Sequence, residues 1–219
     1  MKENLTKTRE LLSQYREDYA LCSKCKICHG NHVQEVNHAR FFRNCPSGSR
    51  FRYEAYYASG RMELARALNL KEIEATPQYL HALYTCMECG SCQEQCYPVK
   101  QIFPLRVIEL LREKAVAEGW GLLPEHAPIL KNLEETDNLL GKPQAERDKL
   151  IKELGVKDAA KEKCAVLLFI GCQYSYKPEL KKALGSAVRL LKKSGADVGI
   201  LGSKELCCGA PLLELGYRD

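Results

Sequence analysis

The chain has 219 residues, of which 45% are apolar and 28% are charged, and its formal net charge is +5. These proportions are typical of a globular protein and exclude a fibrous or disordered chain. Residues 165–170, the longest apolar run near the end, are too few to span a bilayer, and residues 1–21 predict a charged amphipathic helix instead of a signal peptide. With twelve cysteines, we expect a reducing cytoplasmic setting, where cysteine clusters indicate metal binding or catalysis more often than disulfides.

Basic residues are concentrated around the first cysteine block, which reads Cys22-x2-Cys25-x2-Cys28 and is followed, after sixteen residues, by Cys45. Six cations stand here against one acid, Glu35: Lys24, Lys26, Arg40, Arg43, Arg50 and Arg52. This charge predicts either a solvated basic surface or a field that eases the reduction of an anionic metal group and steers an acidic partner. We expect no nucleic-acid binding, because no recognised binding motif accompanies the charge.

Helical patterns fill the rest of the first part of the chain. Apolar spacing predicts three helices, over residues 54–70, 77–84 and 104–119. The first of these helices would place Leu64, Ala67 and Leu68 on one face. The second cysteine block lies between the second and third helices and reads Cys86-x2-Cys89-x2-Cys92-x3-Cys96. No strand pattern of any length occurs here, so we expect an α-helical domain over residues 1–120.

The composition and the predicted secondary structure change in the second part of the chain. Residues 121–162 are charged and punctuated by prolines, and they predict a connector with a helix over residues 143–154. A buried strand, an amphipathic helix and a second strand are then predicted, over residues 164–170, 178–194 and 198–201. At this length they predict a βαβ unit with parallel strands in a domain over residues 163–219, so that the chain is mostly α overall.

The two cysteine blocks have the pattern of [4Fe–4S] ligands. Each cluster takes four thiolates, and a Cys-x2-Cys-x2-Cys loop supplies three of them with little strain. In two-cluster ferredoxins the fourth ligand comes from the distant cysteine of the other block. We therefore predict one cluster held by Cys22, Cys25, Cys28 and Cys96, and a second held by Cys86, Cys89, Cys92 and Cys45.

Structural zinc and disulfides are the alternatives for these cysteines. Zinc motifs supply their ligands in pairs, whereas each block here supplies three evenly spaced cysteines and a fourth near proline. His29 and His32 stand beside Cys28 and could replace a thiolate, as in Rieske centres. With eight cysteines present, we interpret both histidines as loop residues or as neighbours of the ligands.

Three segments resemble the iron–sulfur subunits of the heterodisulfide reductase group and of glycolate, lactate and anaerobic glycerol-3-phosphate dehydrogenases: residues 22–28, Cys45-Pro46-Ser47-Gly48 and residues 86–96. The resemblance implies an α-helical ferredoxin fold with two [4Fe–4S] clusters. The chain departs from the family's pattern in two places. The gap before Cys45 is longer than the usual gap of about three residues, and Pro98 follows Cys96 at one residue's remove.

A second cysteine set follows the two predicted strands. Cys172 comes directly after the first strand, and Cys207 and Cys208 come after the second. Because the carboxyl ends of parallel neighbours share one edge of a sheet, we expect these three thiols to converge where open α/β sheets bind ligands. Cys164 begins the first strand at the opposite edge, and we interpret it as a buried apolar residue and not as a ligand.

The spacing of this second set resembles the opening half of a cysteine-rich CCG domain, in which thirty-four residues separate Cys172 from Cys207-Cys208-Gly209. The resemblance implies a non-cubane iron–sulfur cluster, or thiol–disulfide and quinone-linked redox chemistry, once a Cys-x2-Cys pair completes the motif. No such pair follows before Asp219. We therefore expect that a longer parent chain or a partner subunit supplies the missing thiols to a partial third site.

Together these patterns predict an iron–sulfur electron-transfer subunit of a heterodisulfide reductase-like complex. It would pass electrons between a flavoprotein or similar donor and a disulfide, a quinone or another acceptor, and would not be catalytic alone. The flavin would lie on a partner, because no nucleotide-binding glycine motif is present. A CCG-completing or membrane subunit is a further expected partner and would hold the chain at the membrane periphery. A disulfide or quinone reductase that uses the CCG site and a zinc-binding structural protein are the alternatives.

Overall fold

The computed structural model describes residues 12–30 and 42–218, which belong to two compact units. The first unit comprises residues 1–124 and 212–219, and the second comprises residues 125–211. Most of the segment predicted as a connector therefore belongs to the second unit. Every helix of the described residues is too short or too polar to cross a membrane.

The first unit is helical, as the cysteine-block pattern predicts. Its helices are α1 (Arg16–Ala20), α2 (Pro46–Phe51), α3 (Ala58–Asn69), α4 (Pro77–Tyr84), α5 (Ser91–Lys100) and α6 (Pro104–Ala117). Three of them begin with proline, whose fixed φ and missing N–H suit the first position of a helix. Helix α3 begins later than predicted, because Glu54–Tyr56 form a separate 3₁₀ turn.

The core of the first unit lies between α3 and α6. Met62 and Ala65 of α3 are buried against a helix whose Val107, Leu110 and Leu111 are also buried. The predicted inner face of α3 is therefore wrong in part. Leu64 and Leu68 are only half-buried, and Arg61 is buried in their place. A pattern of apolar residues could not have identified a buried cation.

The second unit carries a small parallel sheet among helices. Its helices are α7 (Ala127–Thr136), α8 (Asp148–Leu154), α9 (Gly171–Tyr176) and α10 (Pro178–Lys193). Its strands are β1 (Lys157–Asp158), β2 (Val166–Leu167) and β3 (Val198–Ile200), in the order β1-β3-β2. The predicted βαβ unit is confirmed, since β2 and β3 are parallel and the segment between them contains α10, preceded by the short α9. Strand β1 was not predicted. A last helix, α11 (Ala210–Leu215), follows β3.

The core of the second unit forms between the sheet, α8 and α10. It contains Leu150, Ile170, Leu184, Val188 and Ile200.

The apolar run 164–170 is not the fully buried strand that the sequence predicts. Only Val166 and Leu167 have strand geometry. Leu167 and Phe169 are 54% and 51% exposed, because β2 lies at the edge of the three-stranded sheet and has one strand neighbour.

Candidate metal centres

The first cysteine site lies between the loop 22–28 and helix α5. Cys22, Cys25, Cys28 and Cys96 line one cavity of about 330 Å³, its open mouth included. Three of these cysteines come from the first block and one comes from the second. The structure thus brings together the four residues that the crossed arrangement predicts for one site.

The loop 22–28 is held in an unusual backbone conformation. Lys24 and Lys26 both have left-handed backbone angles, with φ of 52° and 65°. Residues other than glycine rarely adopt this conformation, and when they do they cluster at functional sites. It turns the chain sharply after Cys22 and again after Cys25, so that three thiols face one cavity.

The thiols of the first site are crowded and partly removed from water. Cys28 and Cys96 are buried, whereas Cys25 is exposed. Burial raises the pKa of Cys28, and the backbone N–H and hydroxyl of Ser59 oppose that rise. Burial and the charges of Cys28, Cys22 and Cys25 raise the pKa of Cys96 to about 11. These thiols keep their protons at neutral pH unless a metal ion displaces them.

The second cysteine site lies beside α2, α3 and α5. Its cavity of about 370 Å³, open mouth included, is lined by Cys45, Cys86, Cys89 and Cys92. Burial, followed by the charges of the neighbouring thiols, raises the pKa of Cys92 to about 12. Burial also raises the pKa of Cys86. The second site therefore gathers three cysteines of the second block and one of the first.

Cys45 is fixed by the start of α2. Its sulfur accepts a hydrogen bond from the N–H of Gly48 at 3.3 Å and so caps the helix. Gly48 is required by close packing, because a Cβ atom there would lie 2.2 Å from the ring of Tyr57. The Cys45-Pro46-Ser47-Gly48 segment thus has a structural reason for its proline and its glycine.

The two sites are neighbours within the first unit. Cys92 and Cys96 stand one turn apart on α5 but line different cavities. Four residues of helix rise by about 6 Å. Ala58 lines both cavities, and the charge of Cys28 contributes to the raised pKa of Cys92.

The histidine next to Cys28 contacts residues around the first site. His29 stacks on Tyr57 with ring centroids 3.7 Å apart, and its Nε2 lies 2.7 Å from Ser59 Oγ. The same nitrogen lies 3.3 Å from Glu54. His29 is not among the residues that line the first cavity. His32 and Arg40 lie outside the described residues.

The third cysteine set belongs to the second unit. Cys172 is buried in α9, and its thiol and that of Cys207 are within hydrogen-bonding reach of each other. Burial raises the pKa of Cys207, and the charges of Cys172 and Cys208 add to the rise. The three thiols that follow the two strands are therefore brought together. Cys164 is half-buried and packs against Gly199 instead.

A buried ion pair supports the third set. Arg147 and Glu205 are each 2% exposed at the side chain, and Arg147 Nη1 lies 2.7 Å from Glu205 Oε1. Arg147 Nη2 also donates to the sulfur of Cys172 at 3.4 Å. Glu205 accepts hydrogen bonds from the N–H groups of Ile170 and Gly171, at 2.9 and 2.7 Å. It thereby fixes the turn that leads to Cys172.

Sequence reasoning missed both members of this pair. Arg147 comes from the predicted connector, far from any cysteine in the sequence, and no spacing connects it to the site. Glu205 stands two residues before Cys207. Its position close to Cys207 was the only feature of the sequence that could have indicated a role for Glu205.

No group of three His, Cys, Asp or Glu side chains among residues 12–30 and 42–218 lies close enough together to hold a single metal ion. Each four-cysteine set of the first unit instead surrounds a larger space. The helical unit, its two cysteine-lined cavities and the cysteine-bearing α/β unit define an iron–sulfur protein.

Comparison with known families agrees with this class. Residues 9–99 match a 4Fe-4S dicluster domain, and residues 166–219 match a cysteine-rich domain. The first match contains all eight cysteines of the two cavities, and the second contains Cys172, Cys207 and Cys208. The chain thus combines a 4Fe–4S dicluster domain with a CCG-type cysteine-rich region.

The chain is similar in sequence to an oxidoreductase and to a reductase subunit. It is 29% identical over 140 residues to the EtfAB:quinone oxidoreductase of Syntrophomonas wolfei subsp. wolfei, a match that covers 61% of this chain and 19% of that protein. It is 29% identical over 135 residues to one subunit of the dihydromethanophenazine:CoB--CoM heterodisulfide reductase of Methanosarcina mazei, covering 61% of this chain and 31% of that subunit. The chain therefore spans about a fifth to a third of these relatives. No solved structure matches it significantly.

Proposed function

We propose that this chain is an electron-transfer subunit that holds two [4Fe–4S] clusters. Cys22, Cys25, Cys28 and Cys96 would hold one, and Cys45, Cys86, Cys89 and Cys92 the other. The bound clusters would supply one-electron redox chemistry. The protein's part is to bind them, to fix the distance between them and to set their surroundings.

The crossed arrangement of the cysteines carries this proposal. Helix α5 supplies Cys92 to one cavity and Cys96 to the other, and the first block sends Cys45 to the cavity of the second. This exchange of the fourth cysteine is the arrangement of two-cluster ferredoxins. It also ties the two blocks together, so that binding at the sites would stabilise the fold of the first unit.

The cavities fit a cubane better than zinc. A zinc ion holds its four sulfur ligands at about 2.3 Å, which leaves no free space at the centre of the site. Among the described residues, no three of these thiols lie close enough together to hold a single metal ion. Each cavity offers four thiols and no histidine, a donor set that suits iron–sulfur chemistry.

The route of electrons through the chain follows from which sulfurs face water. Cys25 and Cys89 are exposed, one in each site. A donor and an acceptor could therefore each approach one site. A flavoprotein or similar donor and a disulfide or quinone acceptor are the partners we propose, in a heterodisulfide reductase-like complex. The names of the two relatives, a quinone oxidoreductase and a heterodisulfide reductase subunit, support this class of acceptor. We place the chain in the cytoplasm, peripheral to the membrane through a partner.

The CCG region is the second candidate for function. The convergence of its thiols favours it, because the thiols of Cys172 and Cys207 lie within hydrogen-bonding reach of each other and Cys208 is next to Cys207. Such a site could hold a non-cubane iron–sulfur cluster or act in disulfide chemistry once further thiols complete it. We expect no disulfide reductase activity from this chain alone.

Anaerobic purification followed by metal analysis tests the proposal. We expect about eight irons and eight sulfides per chain, from two cubanes of four irons each, and a brown protein that dithionite reduces to paramagnetic species. Cys164→Ser is the control, because Cys164 lines neither cavity, and it should keep the full iron content. A colourless protein that binds zinc in both sites would overturn the proposal.

A further inference from the structure

Arg61 is a buried cation that pairs with no acidic side chain among the described residues. Only 1% of its surface is exposed. Its Nε donates to the carbonyl of Ala82 at 2.8 Å, its Nη1 to the carbonyl of Tyr56 at 2.6 Å and its Nη2 to Ser47 Oγ at 2.9 Å. All of these acceptors are neutral. In the part of the chain that the structure describes, no carboxylate is paired with Arg61.

Two other arginines among the described residues are buried, and each is paired with a carboxylate. Arg112 lies 3.0 Å from Glu88, and Arg147 lies 2.7 Å from Glu205. Taking an unpaired charge out of water is energetically costly. Neutral hydrogen-bond acceptors repay part of that cost, but they do not neutralise the charge of Arg61. The charge of Arg61 therefore calls for an anion that the carboxylates of residues 12–30 and 42–218 do not provide.

The position of Arg61 shows where that anion would lie. Arg61 lines the second cavity together with Cys45 and Cys86. Its hydrogen-bond partner Ser47 stands two residues after Cys45, and Thr85, 3.4 Å from its Nη2, immediately precedes Cys86. Burial lowers the pKa of Arg61, and the charges of the Cys86, Cys45 and Cys92 thiolates oppose that fall. The guanidinium thus lies within electrostatic reach of three sulfurs of this site, those of Cys86, Cys45 and Cys92.

The first site has no equivalent residue among the described ones. Lys26 and Lys100 line the first cavity, but both are exposed. Lys24 is 54% exposed at the side chain and is paired with Glu63 at 3.0 Å. Water and salt screen charges at such positions, whereas a buried charge acts through a medium of low dielectric constant.

We infer that Arg61 is the counter-cation of the second site and makes that site the more easily reduced of the two. This inference rests on the proposed function, because it requires an iron–sulfur cluster in each cavity. A cubane held by four thiolates is anionic, and reduction adds one more negative charge. A fixed buried cation stabilises the more negative state and so raises the reduction potential. An electron that enters the chain would therefore reside mainly on the cluster of the second site, beside Arg61.

Redox titrations followed by paramagnetic resonance test the inference in three variants of the whole chain. Arg61→Gln removes the charge, Arg61→Lys keeps it and Arg66→Gln is the control. Arg66 lies on the same helix, but it is partly exposed and paired with Glu63 and Glu72. We expect R61Q to make one centre at least tenfold harder to reduce, a shift of about 59 mV for a one-electron couple. The other centre should not change, and R61K and R66Q should retain both potentials.

Iron content separates the failure of this inference from the failure of the proposed function. A wild-type chain without iron refutes both. A chain with about eight irons whose two potentials are unchanged in R61Q refutes only the role of Arg61. The centre that shifts should also be the one that Cys86→Ser removes, and a shift in the other centre refutes the assignment. If R61Q does not retain its second cluster, R61K is the deciding variant. Because R61K keeps the positive charge, a centre that becomes tenfold harder to reduce in R61K would refute the role of that charge.

Discussion

Removal of the Glu205 carboxylate should destabilise the second unit strongly. In Glu205→Ala, the side chain loses its ion pair with Arg147 and the hydrogen bonds from the N–H groups of Ile170 and Gly171. The hydrogen bonds that the backbone carbonyl of Glu205 accepts from Arg147 and Gln144, at 3.0 and 3.2 Å, remain. Breaking a buried pair on one side typically costs about 3–5 kcal/mol, because the remaining charge is uncompensated.

A double variant separates the cost of the orphaned charge from that of the lost hydrogen bonds. Arg147→Met with Glu205→Leu removes both charges but still leaves two amide N–H groups unpaired. Each unpaired group costs about 1–3 kcal/mol. The double variant should therefore be more stable than Glu205→Ala alone. Glu153→Ala is the surface control. It breaks an exposed pair with Lys181 at 3.5 Å and should cost less than about 1 kcal/mol.

Hydrogen exchange measured by mass spectrometry on the whole chain can follow this effect locally. Peptides that cover residues 168–176 should lose protection in Glu205→Ala and regain part of it in the double variant. The alkylation rate of Cys172 should rise in parallel, since Glu205 fixes the turn before α9. A loss of less than about 1 kcal/mol in Glu205→Ala, equal to that of the surface control, would refute the reasoning.

Two further substitutions have clear expected results. Gly48→Ala should destabilise the first unit and lower the iron content at the second site, because its Cβ would lie 2.2 Å from the ring of Tyr57. Gly185→Ala should instead stabilise the chain by up to about 1 kcal/mol, because its Cβ would meet only the tip of a flexible arginine at 3.4 Å. An unchanged melting temperature and an unchanged iron content in Gly48→Ala would contradict this prediction. Burial raises the pKa of Tyr79, so the stability it contributes is present below about pH 10 and is lost as the pH rises further. The hydroxyl of Tyr79 has no hydrogen-bond partner among the described residues, so Tyr79→Phe should extend the stability of the protein to more alkaline pH. Tyr53 is 69% exposed, and Tyr53→Phe should have no such effect. Equal alkaline melting curves for the two variants would contradict the prediction.

The cysteine spacing allowed much of the first unit to be predicted. Evenly spaced thiols followed by a distant fourth indicate a cluster motif whether or not the intervening helices are recognised. Helix α4 begins and ends at the predicted residues, because Pro77 sets its first position. The parallel pairing of β2 and β3 followed from the length and order of strand, helix and strand.

The remaining features depend on contacts between residues that are distant in the sequence. Apolar composition alone does not determine burial, and Leu167 is exposed because β2 has a strand on only one side. Arg61 and Arg147 read as ordinary charged residues of a helix and a connector. They become functional candidates only when folding buries each of them against thiols from other segments. No local sequence pattern predicts these long-range contacts.

Paired cysteine substitutions test the crossed arrangement most directly. Paramagnetic resonance spectra of the anaerobically reduced protein would be compared for Cys22→Ser, Cys96→Ser and Cys92→Ser. We predict that Cys96→Ser alters or removes the same centre as Cys22→Ser, although Cys96 belongs to the other block, and that Cys92→Ser affects the second centre. If Cys96→Ser and Cys92→Ser affect one and the same centre while Cys22→Ser affects the other, the account of the two sites is wrong.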